Sequence, residues 1–251
     1  MKKILFSLFV IISLILIFNH KNNKKVTPLP QEEIKEMSLM EKLDTINYNN
    51  KTYPFAFFKV DHPEDLKLFS NFSQIKSSED IIKEKQSSFL INGGFYDKSN
   101  QPLGWFVADN QEISKKIISN LLNGFIQKKD NQIFINSTPL LNVQFGLQSG
   151  PILIKNSQPL ILKIKNDEFR RRTIATLNQN HQLIFITIIS TESEFNGPLL
   201  ANTPNVLQKI SQKINQKFVS AINLDGGSAS VFYTPDTYIK EFSPIGSFFC
   251  L

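Results

Sequence analysis

Cysteine is all but missing from this chain. Cys250, beside the last residue, is the only one in 251 residues, so an intramolecular disulfide is excluded and a free thiol without function is expected. Histidine is nearly as scarce, with His20, His62 and His181 alone. No HExxH, no paired metal-ligand histidines and no CxxC occurs, so a zinc site is not expected. A Ser-His-Asp triad would have to use His62 or His181, and Gly226-Gly227-Ser228-Ala229-Ser230 is not a Gly-x-Ser-x-Gly elbow. The GxxxxGK[ST] phosphate loop is absent too. Carboxylate, carboxamide, hydroxyl and guanidinium chemistry remain.

An excess of basic charge on the folded part is also lacking. The net charge is +6, but Lys2, Lys3, Lys21, Lys24 and Lys25 supply five of it, which leaves +1 for residues 26–251. Nucleic-acid binding, which needs a concentrated basic face, is not expected. The 22 Phe against one Trp mark a compositional bias and carry no function. Hydrophobic residues at 41% and charged residues at 20% are ordinary for a globular protein able to bury a core.

What is present begins with Met1-Lys2-Lys3 and an uncharged apolar run from Ile4 to Phe18, ended by Asn19-His20-Lys21. A basic start before such a run fits a secretory signal or a short N-terminal anchor, and both stay open because no small-x-small cleavage site follows. The expected division is residues 1–25 as signal or anchor, 26–47 as a linker with a short helix, and 48–251 as one domain. That domain is expected to be exported, periplasmic or extracellular, held at the inner membrane by residues 4–18 if these are not cleaved. The membrane would be met through the N-terminal segment only.

Within the domain, aromatic Tyr53–Val60 reads as the first core strand. Ser77-Ser78-Glu79-Asp80 matches a capping box that opens a helix to about Lys85. Asp109-Asn110 and the Lys128–Asn131 stretch suggest hairpin turns. Gln182–Ile189 is the most apolar strand and is expected in a central position. Thr203 is expected to cap, and Pro204 to open, a helix whose Val206, Leu207, Ile210 and Ile214 share one face. The fold class expected is α+β: a single domain with a mixed, largely antiparallel β-sheet core covered by two or three helices.

Two stretches stand out. Ala221–Leu224 runs into Asp225-Gly226-Gly227-Ser228, and Phe89–Ile91 runs into Asn92-Gly93-Gly94-Phe95-Tyr96-Asp97. Each is an apolar strand that exits through a carboxylate or carboxamide into two glycines, which permit close backbone approach. The two exits would form two walls of one cleft, or they are two unrelated hairpins, since Asp-Gly is a strong hairpin signal. Arg170-Arg171-Arg172 is the sharpest basic cluster beyond residue 25. Within a strand, Arg170 and Arg172 would share a face with Arg171 opposite; one Arg on the cleft side would hold an anion, and at least one of the three is expected to be a solvated edge charge.

Asn92-Gly93-Gly94-Phe95-Tyr96, Ser149-Gly150-Pro151, Arg172-Thr173 and Asn223-Leu224-Asp225-Gly226-Gly227-Ser228 occur in that order. Together they resemble the phosphodiester glycosidase family, over roughly Tyr53 to the C-terminus. Two positions depart from the family: Ser228 stands where a third glycine is common, and Ile174-Ala175-Thr176 follows the Arg-Thr pair where a glycine is usual. Both departures bear on substrate choice and on activity.

The resemblance implies hydrolysis of a sugar-1-phosphodiester at the anomeric carbon, with a carbohydrate or sugar-phosphate substrate from envelope or exopolysaccharide glycans. Asp225 is then expected at the anomeric centre, activating water or acting as nucleophile, with Arg172 on the phosphate and Asn92 as the third catalytic group. Gly93, Gly94, Tyr96, Ser149, Gly150, Thr173, Asn223, Gly226, Gly227 and Ser228 would bind substrate, the glycines turning backbone N–H groups to the ligand. Asp97 is the reserve carboxylate. No cofactor or metal is expected, although the residues are also compatible with calcium. The rival functions are a non-catalytic exported glycan-binding module and a structural envelope component.

Overall fold

The computed structural model describes residues 39–251, which belong to one compact unit. The expected signal or anchor segment and most of the expected linker lie outside the described residues. After a one-turn helix α1 (Leu39–Lys42) the unit is built from strands, with few helices. We number the elements β1 Asp44–Tyr48, β2 Lys51–Lys59, β3 Lys67–Ser70, α2 Ser78–Lys85, β4 Leu90–Asn92, β5 Phe106–Ala108, β6 Gln111–Ser114, β7 Gly124–Lys129, β8 Gln132–Asn136, β9 Phe145–Ser149, β10 Ile152–Lys155 and β11 Gln158–Pro159. After these come β12 Arg172–Asn178, β13 Leu183–Ile188, α3 Thr203–Lys213, β14 Phe218–Asn223, β15 Phe232–Thr234, β16 Thr237–Ile239 and β17 Ser247–Cys250.

The strands form three sheets instead of the one mixed sheet expected. A seven-stranded sheet runs β1-β2-β13-β12-β14-β10-β11, and two five-stranded sheets run β16-β15-β4-β17-β3 and β6-β5-β9-β7-β8. Each strand pairing recorded among the described residues is antiparallel. Local turn chemistry explains much of this. Asn49-Asn50, Asp109-Asn110 and Asp130-Asn131 all have positive φ at both residues, the left-handed pair that Asn and Asp tolerate and that closes two-residue hairpins. β1 is an edge strand with a single buried residue, Ile46, so its hydrophobic signal is faint. It starts four residues before the expected domain limit.

The large sheet divides the core. Ile174 of β12, Ile184, Ile186 and Ile188 of β13 and Ala221 of β14 face α3, whose Val206, Leu207 and Ile210 are fully buried. On the other face Ala175, Leu177, Phe185 and Ile222 meet Phe89, Ile91, Phe232 and Phe249. Successive strand residues point to opposite faces, so this assignment also places the polar residues at the strand ends. β13 lies inside the sheet with all six residues buried, which accounts for its continuous apolar run.

Helix α2 is capped as its sequence suggests: Ser77 Oγ accepts from the Asp80 N–H at 3.2 Å. Helix α3 differs. Thr203 is its first helical residue, not its cap, and its Oγ1 donates to the Leu199 carbonyl at 3.0 Å. A distant carboxylate serves the preceding 3₁₀ turn (Leu200–Asn202) in its place. Asp167 accepts from the N–H groups of Leu200 and Ala201 at 2.9 and 2.8 Å.

Candidate active site

The Asp225-Gly226-Gly227-Ser228 stretch is not a hairpin turn. β14 before it belongs to the seven-stranded sheet and β15 after it to a five-stranded one, so the stretch carries the chain from one sheet to the other. β4, which ends in Asn92, lies beside β15. The two glycine exits therefore meet: the Asp225 N–H donates to the Gly93 carbonyl at 3.1 Å.

Asn92 fastens the junction. Its Nδ2 donates to the Asp225 carbonyl, and its Oδ1 accepts from Thr173 Oγ1 at 3.1 Å and from the Val231 N–H at 3.0 Å. Only 1% exposed and with both amide ends used, Asn92 positions the Asp225 backbone. Ser149, Gly150, Thr173 and Asn223 are likewise buried beneath the turn. Ser149 Oγ and the Gly150 N–H donate to the Asn223 carbonyl at 2.7 and 3.0 Å, and Asn223 Nδ2 donates to the Gly150 carbonyl at 3.0 Å.

The glycines act differently from expectation. The Gly93 N–H donates to the Ser247 carbonyl, the Gly94 N–H to Ser247 Oγ, and the Gly227 N–H to the Arg171 carbonyl. The Gly226 N–H favours the charged form of the Asp225 carboxylate. The Gly93, Gly94 and Gly227 donors are thus committed within the protein, and the Gly226 N–H stays at the carboxylate. The glycines are needed for proximity: a Cβ on Gly226 would lie 2.4 Å from the Arg171 carbonyl oxygen, and Gly227 sits at φ +68°.

The three arginines take three different environments. Arg172, expected on the phosphate, lies in register with Ile188 on the α3 side of the sheet. Its Nε donates to the Pro198 carbonyl at 2.9 Å, and its Nη2 to the Glu168 carbonyl at 2.6 Å and to Asp167 at 3.5 Å. Strand alternation explains the correction, because Thr173, the next residue, takes the Asn92 face. Arg171 is fully buried, its Nε donating to the Glu194 carbonyl and its Nη1 to the carbonyls of Ser230 and Lys240. Burial lowers both guanidinium pKa values to about 10, which leaves them charged at neutral pH. Arg170 alone is exposed, paired with Glu168 at 2.6 Å, and its Cδ lies 3.8 Å from where a Gly227 Cβ would be.

Asp225, Gly226, Ser228 and Tyr96 keep access to solvent. Around the Asp225 carboxyl the protein removes water without offering a cation, and its pKa is raised from 3.8 to about 7. Desolvation is the largest cause, and only the Gly226 N–H opposes it. Tyr96 is close enough for the Asp225 charge to raise its own phenol, after burial the second cause. Its hydroxyl donates to the Pro244 carbonyl, while Ser243 Oγ donates to Ser228 Oγ at 2.9 Å. Residues 243–244 so close a third side of the site, which local sequence patterns did not signal. Asp97 is spent locally, accepting from the Ser99 and Gln101 N–H groups at 2.8 and 3.0 Å.

The family model for the phosphodiester glycosidase domain matches residues 85–248, a span that includes both glycine exits, the arginines and the third wall. The chain belongs to the phosphodiester glycosidase family. The catalytic domain of zebrafish N-acetylglucosamine-1-phosphodiester alpha-N-acetylglucosaminidase, auto-inhibited by its pro-peptide, shares this fold with a TM-score of 0.64 and 15% identity. The match covers 83% of this chain and 81% of that one. A hypothetical protein from Synechocystis matches with a TM-score of 0.63 and 13% identity over 83% of this chain and 61% of that one. The uncharacterized protein YigE of Escherichia coli (strain K12) is 29% identical over 91 residues, 31% of this chain and 35% of its own length. The match thus spans about a third of that curated relative.

One set of three side chains among the described residues lies close enough together that it could hold a metal ion: His62, Glu64 and Asp65. All three are exposed and lie in the β2–β3 connection. None of them belongs to the Asp225 site.

Proposed function

We propose that the domain hydrolyses a sugar-1-phosphodiester at the anomeric carbon, with Asp225 as the general base. A single observation carries this reading: a carboxyl with a pKa of about 7 and no cationic partner, held at the junction of the two glycine exits. Structural carboxylates in this chain are treated otherwise, as Asp167 with its two N–H donors and Arg172 illustrates. A base poised near neutral pH combines a useful ionised fraction with real proton affinity.

In the step, a water oxygen bonds to the anomeric carbon as the bond from that carbon to the phosphate oxygen breaks. Asp225 takes the water proton, and the leaving group departs as a phosphomonoester. Such a leaving group is already stable as an anion, so it needs less proton donation than an alkoxide, and one carboxylate is sufficient. Charge on the departing phosphate falls to Arg170, an exposed arginine whose Cδ passes beside Gly227 and whose guanidinium would exchange Glu168 for the phosphate. Tyr96 and Ser228 border the space the sugar would occupy.

Family membership and the shared fold support the reaction class. The zebrafish enzyme's name makes N-acetylglucosamine-1-phosphodiesters the first substrates to try. We further propose that the domain is exported and acts on envelope glycans, on the strength of the basic and apolar start of the sequence. The test is release of free sugar from an activated N-acetylglucosamine-1-phosphodiester by the full chain, with Asp225→Asn beside it. Turnover that rises with pH through about 7 and is lost in Asp225→Asn is expected. A folded Asp225→Asn protein of undiminished rate would sink the role. Glycan-dependent thermal stabilisation without turnover would leave a binding module.

A further inference from the structure

We propose that Phe195, stacked on Phe242, presents its outer face as a platform for a second sugar ring of the substrate, next to the ring being cleaved. The inference rests on the hydrolase reading above and names the kind of substrate: an oligosaccharide or glycan-linked phosphodiester.

A lone exposed phenylalanine needs no explanation. These two are not alone. Their ring centroids are 3.9 Å apart, and Phe195 is 50% and Phe242 47% exposed. The pair is also tied to the site through the backbone. The Phe242 N–H donates to the Ser228 carbonyl at 2.7 Å. The Arg171 N–H donates to the Phe195 carbonyl at 2.9 Å, and the Arg171 carbonyl accepts from Gly227 at 2.8 Å. The main chain at both residues is therefore tied to the turn that carries Asp225.

Arg171 anchors the platform from beneath. Its guanidinium carbon lies 5.1 Å from the centre of the Phe242 ring, within cation–π range. Its Nη2 is buried without a hydrogen-bond partner, so the ring is what this charge has in exchange. This guanidinium is deeply buried and pinned by three carbonyls, so it gives Phe242 a fixed support. Beside the rings are the paired hydroxyls of Ser228 and Ser243. Rigid aromatic surface flanked by hydroxyls matches a pyranose, whose C–H face is apolar and whose rim is polar. The continuity with the Asp225 site selects a sugar ring of the same substrate over an unrelated apolar partner.

The probe is the tetrasaccharide of N-acetylglucosamine, which has no phosphodiester, titrated into the full chain by calorimetry. Saturable binding is expected, weakened about five- to tenfold by Phe195→Ala and by Phe242→Ala and within about twofold of the original in Phe242→Tyr. Where turnover is measurable, kcat/KM for a glycan-linked phosphodiester should fall several-fold more than for the methyl phosphodiester. No saturable binding, Ala variants that bind normally, or a Phe242→Tyr loss equal to that of Phe242→Ala would overturn the platform. An equal loss on short and long substrates with intact tetrasaccharide binding would do so as well. Binding without any turnover would retain the platform and refute the hydrolase.

Discussion

Arg172 and Asp225 are both ionisable groups withdrawn from water, and the protein treats them in opposite ways. The Arg172 guanidinium meets two carbonyls and Asp167, whose carboxylate in turn holds the start of the 3₁₀ turn before α3. Asp225 meets no cation, and desolvation dominates its titration. A buried charge with a full set of partners fastens structure, whereas one left uncompensated keeps its chemical potential for a ligand. The contrast separates a residue of the fold from a residue of the reaction, although both stand in the sequence next to motifs of equal prominence.

The sharpest way to break this comparison is Asp225→Asn. Turnover of the activated phosphodiester should fall by about a thousandfold, the order expected for losing a general base. Arg172→Met should instead act on stability. Urea unfolding should show a loss of about 3 kcal/mol, because Asp167 and the two carbonyls lose their partner inside the protein. A stable Arg172→Met protein with abolished turnover would invert the two roles.

The next effect concerns stability against pH. The folded pKa of Asp225 is raised, so between about pH 4 and pH 7 the native state holds a proton that the unfolded chain has released. Stability should decline with rising pH across that window and stay low above it. Asp225→Asn removes this penalty, and its unfolding free energy at pH 8 should exceed that of the original protein by about 2–3 kcal/mol, allowing for partial solvent access. Equal stabilities of the two proteins at pH 8 would mean that the carboxyl is better solvated than its surroundings indicate.

Smaller effects sharpen the comparison further. Arg170→Ala should lower kcat/KM about tenfold while changing stability by less than about 0.5 kcal/mol, since its ion pair with Glu168 is exposed. Ser77→Ala, remote from the site, should cost about 1 kcal/mol in urea unfolding through the lost cap of α2 and leave turnover alone.

Much of the fold can be traced to short stretches of sequence. The Asp-Asn turns adopt paired left-handed conformations, Ser77 caps its helix, and Val206, Leu207 and Ile210 line one buried face. β1 carries almost no sequence signal, because an edge strand with one buried side chain has little alternation. The site was legible as motifs and less so as roles. Asp225 and Asn92 do meet, but the amide of Asn92 is consumed by Asp225, Thr173 and Val231. Ser243 and Pro244 carry no local signal because their place at the site depends on how the C-terminal sheet returns past β4.

By itself the sequence determined the strand-rich composition of the domain, its turns, and the presence of a carboxylate at a glycine exit. These depend on backbone preference and periodicity within a few residues. Tertiary structure alone decided that Asp225 bridges two sheets, that Arg172 faces the helix, and that Phe195 meets Phe242. Each of these depends on which elements, distant in sequence, cover a given face. A period of two assigns neighbours to opposite faces, but not which face is covered by helix α3 and which by the second sheet.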